Sequence, residues 1–191
     1  MVWSCLVSIL PGMAQTEKLT DYVNPFVGTD GYGNVYPGAQ IPFGGIQISP
    51  DTDSRFYDAA SGYKYNHLTL MGFSLTHLSG TGIPDLGDFL FIPGTGEMKL
   101  EPGTHEDPDQ GYRSRYSHDK EWASPNYYAV ELADYGVKAE MTSGVRSGMF
   151  RFTYPESDNA FIMIDMNHTL WQSCEWSNLR MINDSTITGY K

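Results

Sequence analysis

Positive charge is scarce in this chain: 12 Lys and Arg face 23 Asp and Glu, a formal net charge of −11 over 191 residues. Such a balance excludes a protein built to coat nucleic-acid phosphates, which needs basic stripes rather than a diffuse negative field. Cysteine is scarcer still, with only Cys5 and Cys174, so neither a disulfide framework nor a cysteine metal site is expected. The five histidines, His67, His77, His105, His118 and His168, contain no pair at i+4, which argues against zinc. No stretch approaches the roughly 20 apolar residues that span a bilayer, so no membrane span is expected. Helical periodicity never lasts beyond about two turns, which excludes a helical bundle. Familiar catalytic loops are missing too. Gly28-Thr29-Asp30-Gly31-Tyr32-Gly33 is followed by neither Lys-Ser nor Lys-Thr, so it is a poor phosphate loop. Gly80-Thr81-Gly82-Ile83-Pro84 fails as a dinucleotide turn, because Pro84 and Gly87 interrupt any following helix. A Gly-x-Ser-x-Gly nucleophile elbow does not occur.

What is present favours a sheet. Hydrophobic residues make up 40% and aromatics 14%, with 13 Tyr, 20 Gly and 11 Pro, so β-prone runs alternate with turns. Strands are expected at Ile46 to Ile48, Leu68 to Leu75, Phe89 to Ile92, Tyr127 to Leu132, Val137 to Thr142, Met149 to Tyr154 and Ala160 to Asp165. Ala133-Asp134-Tyr135-Gly136 reads as a hairpin loop with glycine where φ is positive. Short strands separated by turn signals point to an all-β protein, an antiparallel β-sandwich. Residues 1–14 read as a signal-peptide remnant, since Gly12 and Ala14 suit cleavage after Ala14; a buried first strand is the alternative. The first reading makes the protein exported, secreted or periplasmic. Ser185 to Lys191 resembles a strand entering a turn, and an edge strand without its partner makes the sequence read as truncated.

Residue by residue, the chemistry is less decided. Asp51 and Asp53 would share one face of a strand, but Arg55 stands where a calcium loop needs its next oxygen ligand. Asp85 and Asp88 flank Gly87 and suit hydrogen bonds to turn backbone. His77, within Thr76-His77-Leu78-Ser79-Gly80-Thr81-Gly82, suits either a polar surface offered to a sugar or a hydrogen-bonded core histidine, and composition favours the second. Tyr57, Trp171 and Trp176 have faces that stack on sugar rings, although aromatics are more often core. Asn167-His168-Thr169 and Asn183-Asp184-Ser185 match the glycosylation sequon, a short and weak pattern.

Several ordered motifs go further. Asp21-Tyr22-Val23-Asn24-Pro25-Phe26-Val27-Gly28-Thr29, Tyr36-Pro37-Gly38-Ala39-Gln40-Ile41-Pro42-Phe43-Gly44 and Ser49-Pro50-Asp51-Thr52 stand in sequence. Ser61-Gly62-Tyr63-Lys64-Tyr65 and Gly72-Phe73-Ser74-Leu75-Thr76-His77-Leu78-Ser79-Gly80-Thr81-Gly82 follow, with Asp85-Leu86-Gly87-Asp88, Leu132 to Lys138 and Arg151 to Pro155 behind. Together they resemble the opening of glycoside hydrolase family 92, the calcium-dependent exo-α-mannosidases, over residues 20–191. The resemblance implies an N-terminal β-sandwich that packs on an (α/α)6 catalytic domain, with this chain covering the sandwich incompletely at its C-terminus. It implies inverting hydrolysis of terminal α-mannosidic bonds, α-1,2 in particular, in host glycans including N-glycans, by an exported bacterial enzyme. The catalytic Glu and Asp and the calcium ligands would lie beyond Lys191, so no catalytic or metal-binding residue is expected in this chain, and alone it should be inactive. By the same resemblance Phe26, Gly28, Thr29, Tyr57 and His77 would line the rim of the sugar pocket. Arg55-Phe56-Tyr57-Asp58 departs from relatives that carry Trp near Tyr57, and Tyr offers a smaller face. Ser79, Thr81 and Asp85 would brace the interface with the helical domain, a role that His77 also suits. A stand-alone carbohydrate-binding or structural module is the alternative reading.

Overall fold

The computed structural model describes residues 17–54, 59–83 and 85–191. The segment read as a signal-peptide remnant, residues 1–14, lies outside them, as does Tyr57. Among the described residues twelve strands form: β1 (Ser49–Asp51), β2 (Thr69–Leu70), β3 (Gly72–Ser74), β4 (Leu90–Thr95), β5 (Ser114–Arg115), β6 (Glu121–Ser124), β7 (Tyr127–Leu132), β8 (Val137–Ser143), β9 (Gly148–Thr153), β10 (Ala160–Asp165), β11 (Asn178–Asn183) and β12 (Thr186–Tyr190). Helix is confined there to short 3-10 turns such as Leu19–Tyr22 and His118–Lys120. Two four-stranded antiparallel sheets, ordered β1-β3-β4-β10 and β6-β7-β8-β9, carry the architecture, with smaller β2-β5 and β11-β12 pairs beside them. The chain is all-β and antiparallel, as its composition implies.

Local signals set the second sheet. β7 and β8 pair from Leu132 opposite Val137 to Tyr128 opposite Met141, and Gly136 in the connecting loop has φ +64°. Alternate side chains point inward, so Tyr128, Val130 and Leu132 from β7 join Val137, Ala139 and Met141 from β8 in one buried cluster. Phe73 of β3 meets them from the other sheet. Its ring lies 6.4 Å from Phe150 and 6.3 Å from Phe152, both on β9, and Phe91 of β4 lies 5.0 Å from Phe150. These aromatic contacts join the two sheets.

β4 is buried on both faces. Phe91 faces the other sheet, whereas Leu90 and Ile92 pack with Met71, Tyr112 and Met163 in a second cluster. Its unbroken apolar run thus reflects burial of both faces. The run Leu68 to Leu75, expected as one strand, divides. Thr69 and Leu70 pair with β5, the N–H of Met71 donates to Asp51 O at 2.7 Å, and β3 pairs with β1. One segment therefore serves two sheets. Ile48 forms only a bridge to Ala39 before β1 begins. The strand expected near the C-terminus is β12, and it has a partner in β11.

Phe73, fully buried between the sheets, supplies a direct test. Phe73→Ala is expected to cost about 3–5 kcal/mol, and Phe73→Leu clearly less. Urea denaturation followed by near-UV circular dichroism reads the midpoint. An unchanged midpoint for the alanine variant would place this ring outside the core.

Candidate functional site

Two glycine-rich loops meet at one place on the surface. In the first, Asn24 Oδ1 accepts the N–H of Phe26 at 3.0 Å, and the Thr29 hydroxyl donates to Phe26 O at 2.8 Å. Thr29 O then accepts the N–H of Tyr65 at 2.9 Å, and the Phe26 ring packs edge-on against Tyr65 at 5.7 Å. Gly28, exposed and at φ +85°, reverses the chain so that its carbonyl accepts from Val35 N–H at 3.2 Å. The second loop docks here, because Gly80 N–H donates to Asn34 O at 2.7 Å. Ser79 and Asp85 are exposed on it and Thr81 is half-buried. Thr81 Oγ1 accepts from Ile83 N–H at 3.1 Å, while Asp85 Oδ1 accepts from Leu86 N–H at 2.8 Å. The structure thus gathers Phe26, Gly28, Thr29 and Ser79 into one loop pair, and it puts Thr81 and Asp85 farther along the second loop.

His77 sits behind that surface rather than on it. Its Nδ1 donates to Gln47 O at 2.7 Å, and its Nε2 lies 2.7 Å from Asp51 Oδ1 and 3.0 Å from Ser74 Oγ. The second carboxylate oxygen of Asp51 meets His168 Nε2 at 2.8 Å. The side chains of Asp51 and His77 are 0% exposed and that of His168 is 4%. Burial pushes the Asp51 carboxyl up, but the charge of His77 and the hydrogen bonds from both imidazoles outweigh it and hold the group well below the carboxylate range. The Tyr36 ring lies 5.1 Å from His77, and its phenol is pushed up to about 12 by burial. Gly62 is required alongside, since a Cβ there would fall 2.1 Å from Asp51 Oδ1.

Asp53, weighed with Asp51 as a cation loop, and Asp88, expected to bond turn backbone, are both committed to other side chains. Asp53 approaches His105 at 3.3 Å, and His105 Nδ1 lies 2.8 Å from Thr69 Oγ1. Asp88 accepts from Thr76 Oγ1 at 2.9 Å and faces Lys191 at 3.0 Å. No group of three or more His, Cys, Asp or Glu among the described residues is placed to hold a metal ion. The resemblance assigns the calcium ligands to residues beyond Lys191. Sequence reasoning picked out Asp51 and His77 separately but missed His168, which is 117 residues from Asp51. No spacing pattern links residues so far apart.

A family model described as the glycosyl hydrolase family 92 N-terminal domain matches residues 22–191. An uncharacterized secreted glycosidase of Arthroderma benhamiae is 30% identical over 139 residues, which is 72% of this chain and 17% of that protein. The solved structure of the gh92 family glycosyl hydrolase ccman5 superposes with a TM-score of 0.72 at 30% identity, covering 88% of this chain and 23% of the other. That of a family GH92 inverting mannosidase from Bacteroides thetaiotaomicron gives 0.63 at 27% identity, covering 78% and 20%. The chain therefore spans about a fifth of the length of these relatives.

The buried Asp51 gives a pH signature. Its carboxyl titrates lower in the folded state than in the unfolded one, near 3.9. The stability it contributes is therefore complete above that unfolded value and is lost as pH falls toward the folded one. The thermal midpoint is expected to drop below about pH 4. Asp51→Asn is expected to lose about 3–5 kcal/mol at neutral pH, because two buried imidazoles lose the carboxylate that accepts from them, and to show a shallower decline in acid. Thermal unfolding across that pH range checks both, and parallel acid limbs in the two proteins would remove Asp51 as the source.

Proposed function

The chain belongs to glycoside hydrolase family 92, as its N-terminal domain, and from that premise we propose that it is the sandwich of an exported α-mannosidase. The enzyme removes terminal α-mannose, α-1,2-linked in particular, from glycans with inversion. Inversion requires an acid on the leaving oxygen and a base that activates water on the opposite ring face, with space for that water between them. In this reading both carboxylates lie on an (α/α)6 domain outside these residues, together with the calcium that would polarise the sugar hydroxyls. The Bacteroides relative is an inverting mannosidase, which supports the stereochemistry. The Arthroderma relative is a secreted glycosidase, which supports export. Among the described residues no helix is long and apolar enough to cross a membrane.

The observation that carries the role of this chain is the joining of its two glycine-rich loops, through Gly80 N–H and Asn34 O at 2.7 Å. They form a rim on which Phe26 and Gly28 offer a ring edge and close backbone approach to mannose, while Thr29, 2% exposed and bonded to Phe26 O, holds the turn from beneath. Tyr57, which the resemblance adds to this rim, lies outside the described residues. His77 serves from behind, since its buried ring fixes the Gln47 carbonyl and the start of the second loop. Ser79, Thr81 and Asp85 meet the helical domain. Val27, Tyr32, Phe43 and Ile83, large apolar side chains left exposed on or beside these loops, support such a covering partner.

The test uses the whole enzyme that carries this chain. Methyl α-1,2-mannobioside, whose other product is a methyl glycoside with no free anomeric centre, is expected to release β-mannose first, read by proton NMR before mutarotation, and a calcium chelator is expected to abolish turnover. Phe26→Ala should lower kcat/KM by about tenfold or more, equivalent to about 1.4 kcal/mol of transition-state stabilisation. The isolated chain should release no mannose. Initial release of α-mannose, or hydrolysis by the isolated chain, would sink the proposal.

A further inference from the structure

A cleft of about 470 Å3 opens where the chain leaves β10, beside the far end of the second loop, whose Leu86 O accepts from Leu170 N–H at 2.9 Å. One wall is the segment from Asp165 to Gln172, and Tyr112 and Met71 lie in the other. Trp171 stands at its edge with 55% of its surface exposed. Its backbone is held at φ +70°, a left-handed conformation unusual for a bulky residue. Its N–H donates to Ser54 O at 2.9 Å, which pins that conformation. Strain of this kind persists where surrounding structure imposes it and gathers at binding sites. Here it keeps a large indole at the surface instead of in either core cluster.

The cleft also contains a polar set. Asp165 Oδ1 accepts from the N–H groups of Asn167 and His168 at 2.8 and 3.2 Å, and Oδ2 accepts from Tyr112 OH at 3.0 Å. A carboxylate has about four acceptor positions, so one remains for a ligand hydroxyl. The exposed amides of Asn167 and Gln172 line the same cleft and offer donors and acceptors together. A flat π face attracts the slightly positive C–H face of a pyranose, while a carboxylate and amides match its hydroxyls. The fixed carboxylate, in a chain of net charge −11, disfavours phosphates and other anions. The pocket falls within the size range of small-molecule sites.

We propose that this cleft is a second sugar subsite, one that takes a neutral hexopyranose unit. None of Phe26, Gly28 and Thr29 lines it, and it rests on the chemistry of its own walls rather than on the mannosidase reading. Its position is tied to the buried charge cluster, because His168 lines the cleft and bonds Asp51.

The test follows the indole N–H signals of the 15N-labelled chain by NMR, with Trp171 assigned through Trp171→Phe. Methyl α-mannoside and methyl α-glucoside are titrated to about 100 mM, which saturates any site in the low millimolar range. The Trp171 signal is expected to move saturably while that of Trp122, exposed on β6, does not. Asn167→Ala should weaken binding by about fivefold or more, with the spectrum otherwise unchanged. A Trp171 signal that stays put with both sugars, or moves no more than that of Trp122, overturns the proposal. Loss of mannosidase activity in rim variants leaves this titration unaltered, so the two readings fail separately.

Discussion

A carboxylate sealed from water and gripped by two imidazoles is the constraint on which this structure depends. Asp51 ends β1, His77 begins the loop that docks on Asn34, and His168 follows β10. Three distant segments converge on one charge. Leaving such a charge alone in a low-dielectric interior is costly, so the two histidine partners must be present whenever the chain is folded. That requirement fixes more than the histidines. Gly62 must lack a side chain to leave room for Oδ1, and the Asp51 carbonyl receives Met71 N–H just where Leu68 to Leu75 changes sheets. The same cluster that positions the second glycine-rich loop therefore also divides a strand and orients the Trp171 segment.

A second buried carboxylate repeats the arrangement in the other half of the fold. Glu121 of β6 accepts from Tyr63 at 2.9 and 3.2 Å, from Tyr128 at 2.5 Å and from His118 Nδ1 at 2.6 Å. Burial pushes the phenols of Tyr63 and Tyr128 above their ordinary range, so both remain protonated donors. His118 in turn stacks on Tyr65 at 3.9 Å, and Tyr65 packs against Phe26. A chain of contacts thus runs from a core carboxylate to the first glycine-rich loop. Apolar burial joins the sheets, while these charged groups determine which loops sit over them.

The parts of the fold legible in the sequence are those specified locally. β7, β8, β9 and β10 lie where alternation and the Gly136 turn put them, because a hairpin's register is written in neighbouring residues. β6 was missed, although Pro125-Asn126 marks its turn and Asn126 has φ +58°. Its run Glu121-Trp122-Ala123-Ser124 shows no apolar alternation, because the inward residue is a glutamate that depends on distant tyrosines. β11 escaped for a different reason: its side chains are exposed throughout, so no buried face marks it. The family was legible, since its motifs are short and contiguous. The Asp51 cluster was not, because each residue reads alone as a polar turn or an isolated histidine.

That difference in legibility follows from the composition of the loops. Glycine and small polar residues supply little apolar area to hold a loop in place. Its geometry must then come from beneath. In this chain it comes from side chains that are themselves expensive to bury and useful only when paired, such as Asp51 with its two histidines. Apolar packing alone tolerates substitutions of similar volume and small shifts of position, whereas a carboxylate held at 2.7 and 2.8 Å by two imidazoles accepts little displacement. Rigid placement of flexible, glycine-rich loops thus accounts for the buried charge at the centre of an otherwise aromatic sandwich.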